Sequence, residues 1–313
     1  MIDPSNAPRF SREDLETIDP PDTCPADFDQ FWAATIADVE STVATLDVRR
    51  IWSPAPEVEV FVVYYRSVDN TRIGAWITRP NESRGGVVVG HGYGGRCEFE
   101  LDYALRGYTA IMPCIRGFHL SSHESIPSTA ASHVLHRIES RDNYVLRGCV
   151  ADLSAAADVL IELYPDVADG LCFSGTSFCG GLGAFALGFD RRFRAGHLEV
   201  PTFGHHPRRL QTPCTGSGEA VRLYAAQHPQ VVGTLAYFDA ATAASRIAVP
   251  VLCAPALYDP AVTPPGQWAV ANAIPDKELF VLPAGHFDYP DATAVSQRLR
   301  NRLFDFFDQA VGR

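Results

Sequence analysis

One stretch decides the fold: residues 171–183, with the sequence LCFSGTSFCGGLG. Its apolar start predicts a strand, and the small residues around Ser177 predict a sharp turn into an apolar helix. Such a turn lifts the Ser177 hydroxyl clear of the sheet, while the helix N-terminus directs free N–H groups at the same point. Gly175 fits the pattern G-x-S-x-G, whereas Cys179 stands where its second glycine is expected. The stretch therefore predicts a nucleophile elbow that matches the motif imperfectly.

Short apolar runs alternate with segments of helical spacing along most of the chain, which predicts an α/β fold. In such folds a mostly parallel central sheet carries helices on both faces, and sites lie at the carboxyl ends of the strands. The strand patterns lie at residues 58–65, 73–78, 86–90, 108–113, 171–174, 195–200, 249–254 and 279–283. The helical patterns lie at residues 26–43, 98–106, 141–163, 178–187, 265–273 and 293–311.

The segments between these patterns predict connections. The first 25 residues, rich in Pro, Asp and Ser, predict an irregular arm, and Asp27 is a candidate N-cap for the first long helix. Residues 118–136 predict a long polar loop, and residues 204–245 predict irregular to helical structure. The first two strands are expected to form a hairpin.

Length, composition and charge limit the classes of protein to which the chain can belong. The chain has 313 residues, of which 46% are hydrophobic and 20% charged, so a large core is expected rather than disorder. We expect one domain over residues 1–313, with an N-terminal arm and helix at 1–45 and a catalytic core at 46–313. The formal net charge of −11 disfavours nucleic acid and anionic membranes as partners and suits a small neutral substrate.

The compartment is inferred from the N-terminus and the cysteines. The first residues show neither the basic nor the apolar region of a signal peptide, and no apolar run reaches the roughly 18–20 residues of a membrane span. The eight cysteines are scattered without a C-x-x-C pair, which favours reduced thiols. These features predict a cytoplasmic protein.

A serine nucleophile needs a base to remove its proton and an acid to orient that base. In α/β-hydrolases these groups follow the serine in the order Asp or Glu, then His, each just past the end of a strand. Asp259 follows the strand pattern at 249–254, and His286 follows the pattern at 279–283. Ser177, Asp259 and His286 are therefore the candidate catalytic triad.

Other residues compete for these roles. Asp239 and Asp288 are alternative acids, although neither follows a predicted strand at the required place. Asp259 precedes a proline and could be an ordinary turn residue, and His286 could be a loop histidine. Cys179 could be the nucleophile of an elbow shifted by two residues, although a small packing residue at the start of the helix is favoured.

Acyl transfer also needs two N–H donors for the negative oxygen of the intermediate. The first is expected from Phe178, directly after the serine, and the second from Tyr93, in the loop after an early strand. A plain glycine turn is the alternative for this loop. The histidines of the loops lack metal-ligand spacing and are interpreted as surface and loop residues: His119, His123, His133, His136, His205 and His206. We expect neither a metal nor another cofactor, since nucleotide-binding glycine motifs are also missing from the sequence.

Several separated segments resemble carbohydrate esterase family seven, which contains acetyl xylan esterases and cephalosporin C deacetylases. They are FDQFW at 28–32, GHGY at 90–93, IESRDNY at 138–144, LAYFD at 235–239, and the acid loop from Asp259 to Pro264 and Pro265. The resemblance covers roughly residues 26–310.

The resemblance implies an α/β-hydrolase fold and a function. It implies that Ser177, Asp259 and His286 form the triad and that the Tyr93 and Phe178 N–H groups bind the oxyanion. It further implies removal of acetyl groups from short sugars and related small molecules without a metal. Family members commonly form hexamers built from dimers, so a homo-oligomer is expected.

Signature residues of the family are replaced in this chain. Phe118 replaces the Gln of the family motif R-G-Q. Phe178 and Cys179 replace the Gln and the Gly that follow the serine in G-x-S-Q-G-G. Phe287 replaces the Glu of H-E. We expect these changes to alter packing around the triad, and Phe178 to reshape the acyl or alcohol pocket. The predicted function is a serine esterase for small acyl esters, with acetyl as the expected acyl group. The alternatives are a peptidase or lactone hydrolase of the same fold, or a catalytically silent binding protein.

Overall fold

The computed structural model describes residues 8–312, through which one sheet runs. Its strands are β1 (Ala44–Ile51), β2 (Val58–Arg66), β3 (Arg72–Pro80), β4 (Gly85–Gly90), β5 (Tyr108–Pro113), β6 (Leu171–Thr176), β7 (Ala195–Glu199), β8 (Val251–Ala254) and β9 (Lys277–Leu279). They lie in the order β1, β2, β3, β5, β4, β6, β7, β8, β9. The pairings β1–β2, β2–β3 and β3–β5 are antiparallel, and those from β5 to β9 are parallel. The expected α/β fold with a mostly parallel sheet is confirmed.

Helices cover both faces of this sheet. In the described part of the chain they are α1 (Arg12–Glu16), α2 (Phe28–Thr42), α3 (Asp102–Leu105), α4 (Ala130–His133), α5 (Val145–Leu163), α6 (Phe178–Phe189), α7 (His206–Arg209), α8 (Ser217–Gln227), α9 (Val231–Ala236), α10 (Ala240–Ala244), α11 (Pro264–Ala273) and α12 (Ala292–Ala310). Helices α2, α5, α6, α10 and α11 contribute to the larger apolar core on one face, and α3 and α12 contribute to the core on the other.

Helices on both faces of the sheet bury its central strands, and the sequence predicts these buried strands best. All six residues of β4 are buried, as in a parallel strand that packs against helices on both faces. β6 is likewise buried up to its last residue. The carboxyl ends of these neighbouring strands meet at one edge of the sheet, where the chain turns into the loops that carry the site.

Strand β1 was not predicted. It lies at the edge of the sheet and pairs only with β2, so its side chains are mostly exposed. Leu46 and Val48 are 44% and 38% exposed, and backbone pairing rather than burial holds the strand in place. β1 also crosses the boundary expected between the N-terminal arm and helix, at residues 1–45, and the catalytic core, at residues 46–313.

Several other boundaries differ from the expectations. The predicted irregular arm contains α1, whose Leu15 is buried in the core, and the predicted polar loop at 118–136 contains α4. α3 is shorter than the helix expected at 98–106. β9 begins and ends earlier than the strand expected at 279–283, although Leu282 still bridges Ala256. Element ends depend on tertiary contacts that a local pattern does not contain.

Asp27 precedes α2 as expected, but its side chain does not cap the helix. Its carboxylate instead accepts hydrogen bonds from Arg141 and from the Tyr237 hydroxyl. Arg141, which was expected in the long helix, lies outside it, and α5 begins at Val145. No helix among residues 8–312 is long and apolar enough to span a membrane.

Candidate active site

Ser177 lies at the sharp turn between β6 and α6. Its backbone has φ 55° and ψ −107°, a conformation that L-residues rarely adopt. Gly175 has to be glycine, since a Cβ there would lie 2.4 Å from the carbonyl oxygen of Cys179. The stretch therefore folds as a nucleophile elbow despite the missing second glycine.

Cys179 fits at this turn because the neighbouring strand leaves room for it. A Cβ on Gly90 would lie only 2.3 Å from the Cys179 Cβ, so the glycine of β4 accommodates the cysteine of α6. The Cys179 side chain is fully buried, and burial raises the pKa of its thiol to about 12. The thiol is closed off from solvent and forms little thiolate, which favours the packing role of Cys179 over the alternative in which it is the nucleophile.

The structure brings the three candidate triad residues together. The Ser177 hydroxyl lies 2.9 Å from His286 Nε2, and His286 Nδ1 lies 2.8 Å from Asp259 Oδ2. With Nδ1–H donating to the carboxylate, Nε2 carries the lone pair that accepts the serine proton. The three groups thus form one hydrogen-bonded chain that ends on the nucleophile.

Asp259 is 1% exposed and held by four donors. Its Oδ1 accepts from the backbone N–H groups of Ala261 and Val262, each at 2.9 Å. Its Oδ2 accepts from Gln267 Nε2 at 2.9 Å and from His286. Gln267, on α11, is a site residue that sequence reasoning missed, because nothing in its local pattern distinguishes it from any helical glutamine.

The pKa of His286 is set by opposing effects. Burial of the ring lowers it, but the hydrogen bond to Asp259, the charge of Asp259 and the charge of Glu199 outweigh burial and raise the pKa above its ordinary value. Glu199 lies at the end of β7, where its carboxylate accepts a 3.0 Å hydrogen bond from the Thr176 hydroxyl. Burial in turn raises the pKa of Glu199. Glu199 is the second site residue that the sequence did not reveal.

His91 fixes the loop after β4. Its Nε2 accepts from the Ile115 N–H at 3.0 Å, so Nδ1 carries the proton and donates to the Gly92 carbonyl oxygen at 2.7 Å. Burial lowers the pKa of His91 to about 4, which keeps the ring neutral. A Cβ on Gly92 would lie 3.8 Å from the Ser177 Cβ, so this loop borders the nucleophile. It is therefore more than a plain glycine turn.

The two expected oxyanion donors lie next to Ser177, one directly after it in sequence and one in the loop after β4. Phe178 opens helix α6, and Tyr93 lies in the loop beside the nucleophile. The backbone N–H groups of both residues donate to no other group in the described part of the chain. They remain available to a negative oxygen.

Aromatic rings replace the amides that the family resemblance leads one to expect. Phe178 is fully buried and stacks on the Tyr93 ring, with centroids 4.0 Å apart. Phe118 contacts both His91 and His133, with centroid separations of 5.5 Å and 4.9 Å. Phe178 thus supports the loop that carries Tyr93 through ring packing rather than through hydrogen bonds.

The competing acids have other roles or positions. The Asp239 carboxylate caps α10 and accepts from four backbone N–H groups, those of His205, His206, Ala241 and Thr242. Asp288 lies exposed in the loop after His286. His286 forms its side-chain hydrogen bonds with Asp259 and Ser177 instead.

The interpretation of the histidines as surface and loop residues is wrong for two of them. His133 is fully buried and its Nε2 bonds the Arg116 carbonyl oxygen, while buried His206 bonds the Phe238 carbonyl oxygen. Both rings pack in the interior because a neutral imidazole with one satisfied nitrogen is tolerated there. No group of three or more His, Cys, Asp or Glu side chains within residues 8–312 is arranged to hold a metal ion.

A mostly parallel sheet that carries a nucleophile elbow, with an acid and a histidine on later strand ends, defines an α/β-hydrolase. Beyond this class, the chain belongs to the acetyl xylan esterase (AXE1) family, whose model matches residues 6–302. It is accordingly a carboxylic ester hydrolase.

Individual relatives agree with this assignment. The acetyl esterase Axe7A of Xylanibacter ruminicola is 23% identical over 301 residues, which cover 91% of this chain and 68% of the relative. The acetyl xylan esterase from Paenibacillus sp. R4 superposes with a TM-score of 0.82 at 24% identity, over 94% of this chain and 99% of that one. Acetyl xylan esterase 1 from Thermoanaerobacterium sp. JW/SL YS485 superposes with a TM-score of 0.81 at 21% identity, over 94% of this chain and 99% of that one. These two superpositions support the fold.

Proposed function

We propose that the enzyme removes small acyl groups, acetyl above all, from esters of sugars or similar small molecules through an acyl-enzyme on Ser177. The observation that carries the proposal is the hydrogen-bonded chain from Asp259 through His286 to the Ser177 hydroxyl. The acetyl esterases among its relatives support acetyl as the preferred group.

The geometry supports a two-step reaction. As Ser177 Oγ attacks the ester carbonyl carbon, His286 Nε2 takes its proton, and Asp259 stabilises the resulting imidazolium. The carbonyl oxygen becomes negative and accepts hydrogen bonds from the N–H groups of Tyr93 and Phe178. His286 then gives the proton to the leaving alcohol. Water attacks the acyl-enzyme with the same assistance and releases the carboxylic acid.

Hydrolysis of p-nitrophenyl esters from acetate to octanoate tests the proposal, with wild type compared with Ser177→Ala. We expect the fastest turnover with acetate, a decline with chain length, and a loss of several orders of magnitude in the variant. Acetylated xylo-oligosaccharides and cephalosporin C then test the two substrate classes to which the family resemblance points. A folded wild-type enzyme that turns over none of these esters would contradict the proposal.

We further propose that the enzyme is a cytoplasmic homo-oligomer that binds neither nucleic acid nor membranes. All eight cysteines are free, and six of them are buried, which suits a reducing compartment. The edge strand β1 exposes Leu46 and Val48, and Trp52 just beyond it is 78% exposed, as at a contact between subunits. Light scattering of wild type and of Trp52→Glu measures the mass. A wild type that is monomeric at micromolar concentration would contradict the oligomer.

A further inference from the structure

His286 lies in the wall of an open cavity of about 630 Å³. This volume is within the usual range for small-molecule sites, about 300–1,000 Å³. The His286 side chain is 32% exposed, and Phe287, which also lines the cavity, is 40% exposed, so solvent reaches this space. Because His286 gives its proton to the leaving alcohol in the proposed reaction, a cavity beside it is placed to hold that alcohol.

The lining of this cavity is acidic and aromatic. Glu199 and Asp288 contribute carboxylates, and Phe287 and Tyr289 contribute rings. No lysine or arginine in the described part of the chain lines it. Arg298 acts electrostatically on the Tyr289 hydroxyl but is not among the lining residues. Carboxylates combined with aromatic faces bind organic cations, through opposite charge and through cation–π contacts.

Glu199 connects this cavity to the nucleophile. Its backbone carbonyl oxygen accepts the Ser177 N–H at 2.8 Å, which fixes its position relative to the elbow. Its half-buried carboxylate accepts a hydrogen bond from Thr176, and among residues 8–312 no lysine or arginine pairs with it. Burial raises the pKa of Glu199, as expected for a carboxylate that loses water without gaining a cation. The cavity therefore contains a negative charge that the described chain leaves unbalanced.

We propose that this cavity binds an ammonium group on the alcohol part of the ester, so that acyl esters of cationic amino alcohols are preferred over neutral ones. The inference rests on the proposed esterase function and names a substrate class for that site. Glu199 balances the ammonium charge, and the Phe287 ring offers it an aromatic face. The net charge of −11 also attracts a cation. The reaction is unchanged, since the amino alcohol leaves with the proton that His286 took from Ser177.

A matched pair of esters tests the proposal: acetylcholine and 3,3-dimethylbutyl acetate. The second has carbon in place of the ammonium nitrogen, so the two share a shape and differ in charge. Each is assayed with wild type, Glu199→Gln and Phe287→Leu, and with Asp291→Asn as the control. Asp291 is an exposed carboxylate just before α12 that does not line the cavity. Comparing the ratio of the two kcat/KM values between variants cancels the difference between the leaving groups and any change in the titration of His286.

We expect wild type to favour acetylcholine at least about tenfold in kcat/KM, and Glu199→Gln to reduce this preference about tenfold. Phe287→Leu keeps an apolar side chain but removes the ring, and should reduce the preference about two- to fivefold. Asp291→Asn should match wild type. A wild type without preference for acetylcholine would overturn the proposal, and so would a preference that survives both Glu199→Gln and Phe287→Leu.

A wild-type measurement protects the test from a variant that fails to fold. Choline should inhibit wild-type hydrolysis of p-nitrophenyl acetate competitively, and at least about fivefold more strongly than the neutral 3,3-dimethylbutan-1-ol. Equal inhibition by the two alcohols would contradict a cation site. Turnover of p-nitrophenyl acetate itself reports on the esterase function, so failure of the inference and failure of the proposed function are distinguishable.

Discussion

Replacing Gln267 by leucine should damage both stability and catalysis, although Gln267 lies behind the triad rather than in the path of substrate. Its amide nitrogen donates to Asp259 Oδ2 at 2.9 Å and to the Val262 carbonyl oxygen at 2.6 Å. Its amide oxygen accepts from the Ala256 N–H at 2.8 Å. The side chain is fully buried, so water does not replace these bonds. Gln267→Leu therefore leaves three buried polar groups short of a partner.

The size of the effect follows from these three bonds. Buried hydrogen bonds are worth about 1 kcal/mol each, and unsatisfied groups add to the loss, so we expect a destabilisation of about 3–5 kcal/mol. For a chain of 313 residues that corresponds to a fall in Tm of about 5–8 °C. Loss of one donor to the Asp259 carboxylate also loosens the acid that orients His286. We expect kcat/KM to fall about tenfold, mainly through kcat.

Thermal unfolding and p-nitrophenyl acetate kinetics measure the two effects. Gln297→Leu is the matched control, because Gln297 is an exposed glutamine on α12 that bonds only Asn301. We expect this control to keep Tm within about 2 °C and to keep full activity. The reasoning is refuted if Gln267→Leu has the Tm and the kcat/KM of its control.

Two further predictions concern pH and packing. His286 acts as a base only when neutral and its pKa is raised, so kcat/KM should reach half its maximum above pH ~6.5. Glu199→Gln removes one of the charges that raise this pKa, so the acidic limb of the kcat/KM profile should move to lower pH. The control Ser296→Ala, in the wall of the same cavity, should leave that limb in place. An unmoved limb in Glu199→Gln would contradict the effect of the Glu199 charge. Gly90→Ala places a methyl group only 2.3 Å from the Cys179 Cβ and should lower the free energy of unfolding by about 2 kcal/mol or more. Cys179→Gly should restore that loss in the double variant, and chemical unfolding that shows additive effects would exclude the proposed contact.

The sequence predicts most of the sheet because the buried strands carry their own signal. β4 and β6 are short, almost wholly buried runs of mainly apolar and small residues. The elbow of Ser177 combines residue spacing with the change from strand to helix. Asp259 and His286 were identified since each follows a strand in a fixed order. β1 escaped prediction because an exposed edge strand depends on its neighbour for its structure.

The site residues that the sequence did not predict lie near the triad only through tertiary packing. Glu199 and Gln267 contact the triad only after β7 and α11 have packed, and no local pattern marks them. Phe178 was expected to reshape a substrate pocket, but its side chain is fully buried and stacks on the Tyr93 ring. Which face a side chain presents at a helix start depends on the loop that packs against it.

Ser177 is the proposed nucleophile of this esterase. Treating the native enzyme with a fluorophosphonate and mapping the adduct by peptide mass spectrometry tests this role directly. We expect one adduct on Ser177, formed in step with loss of p-nitrophenyl acetate hydrolysis, and no adduct on Ser177→Ala. Inactivation with the adduct on another residue, or a fully active Ser177→Ala, would contradict it.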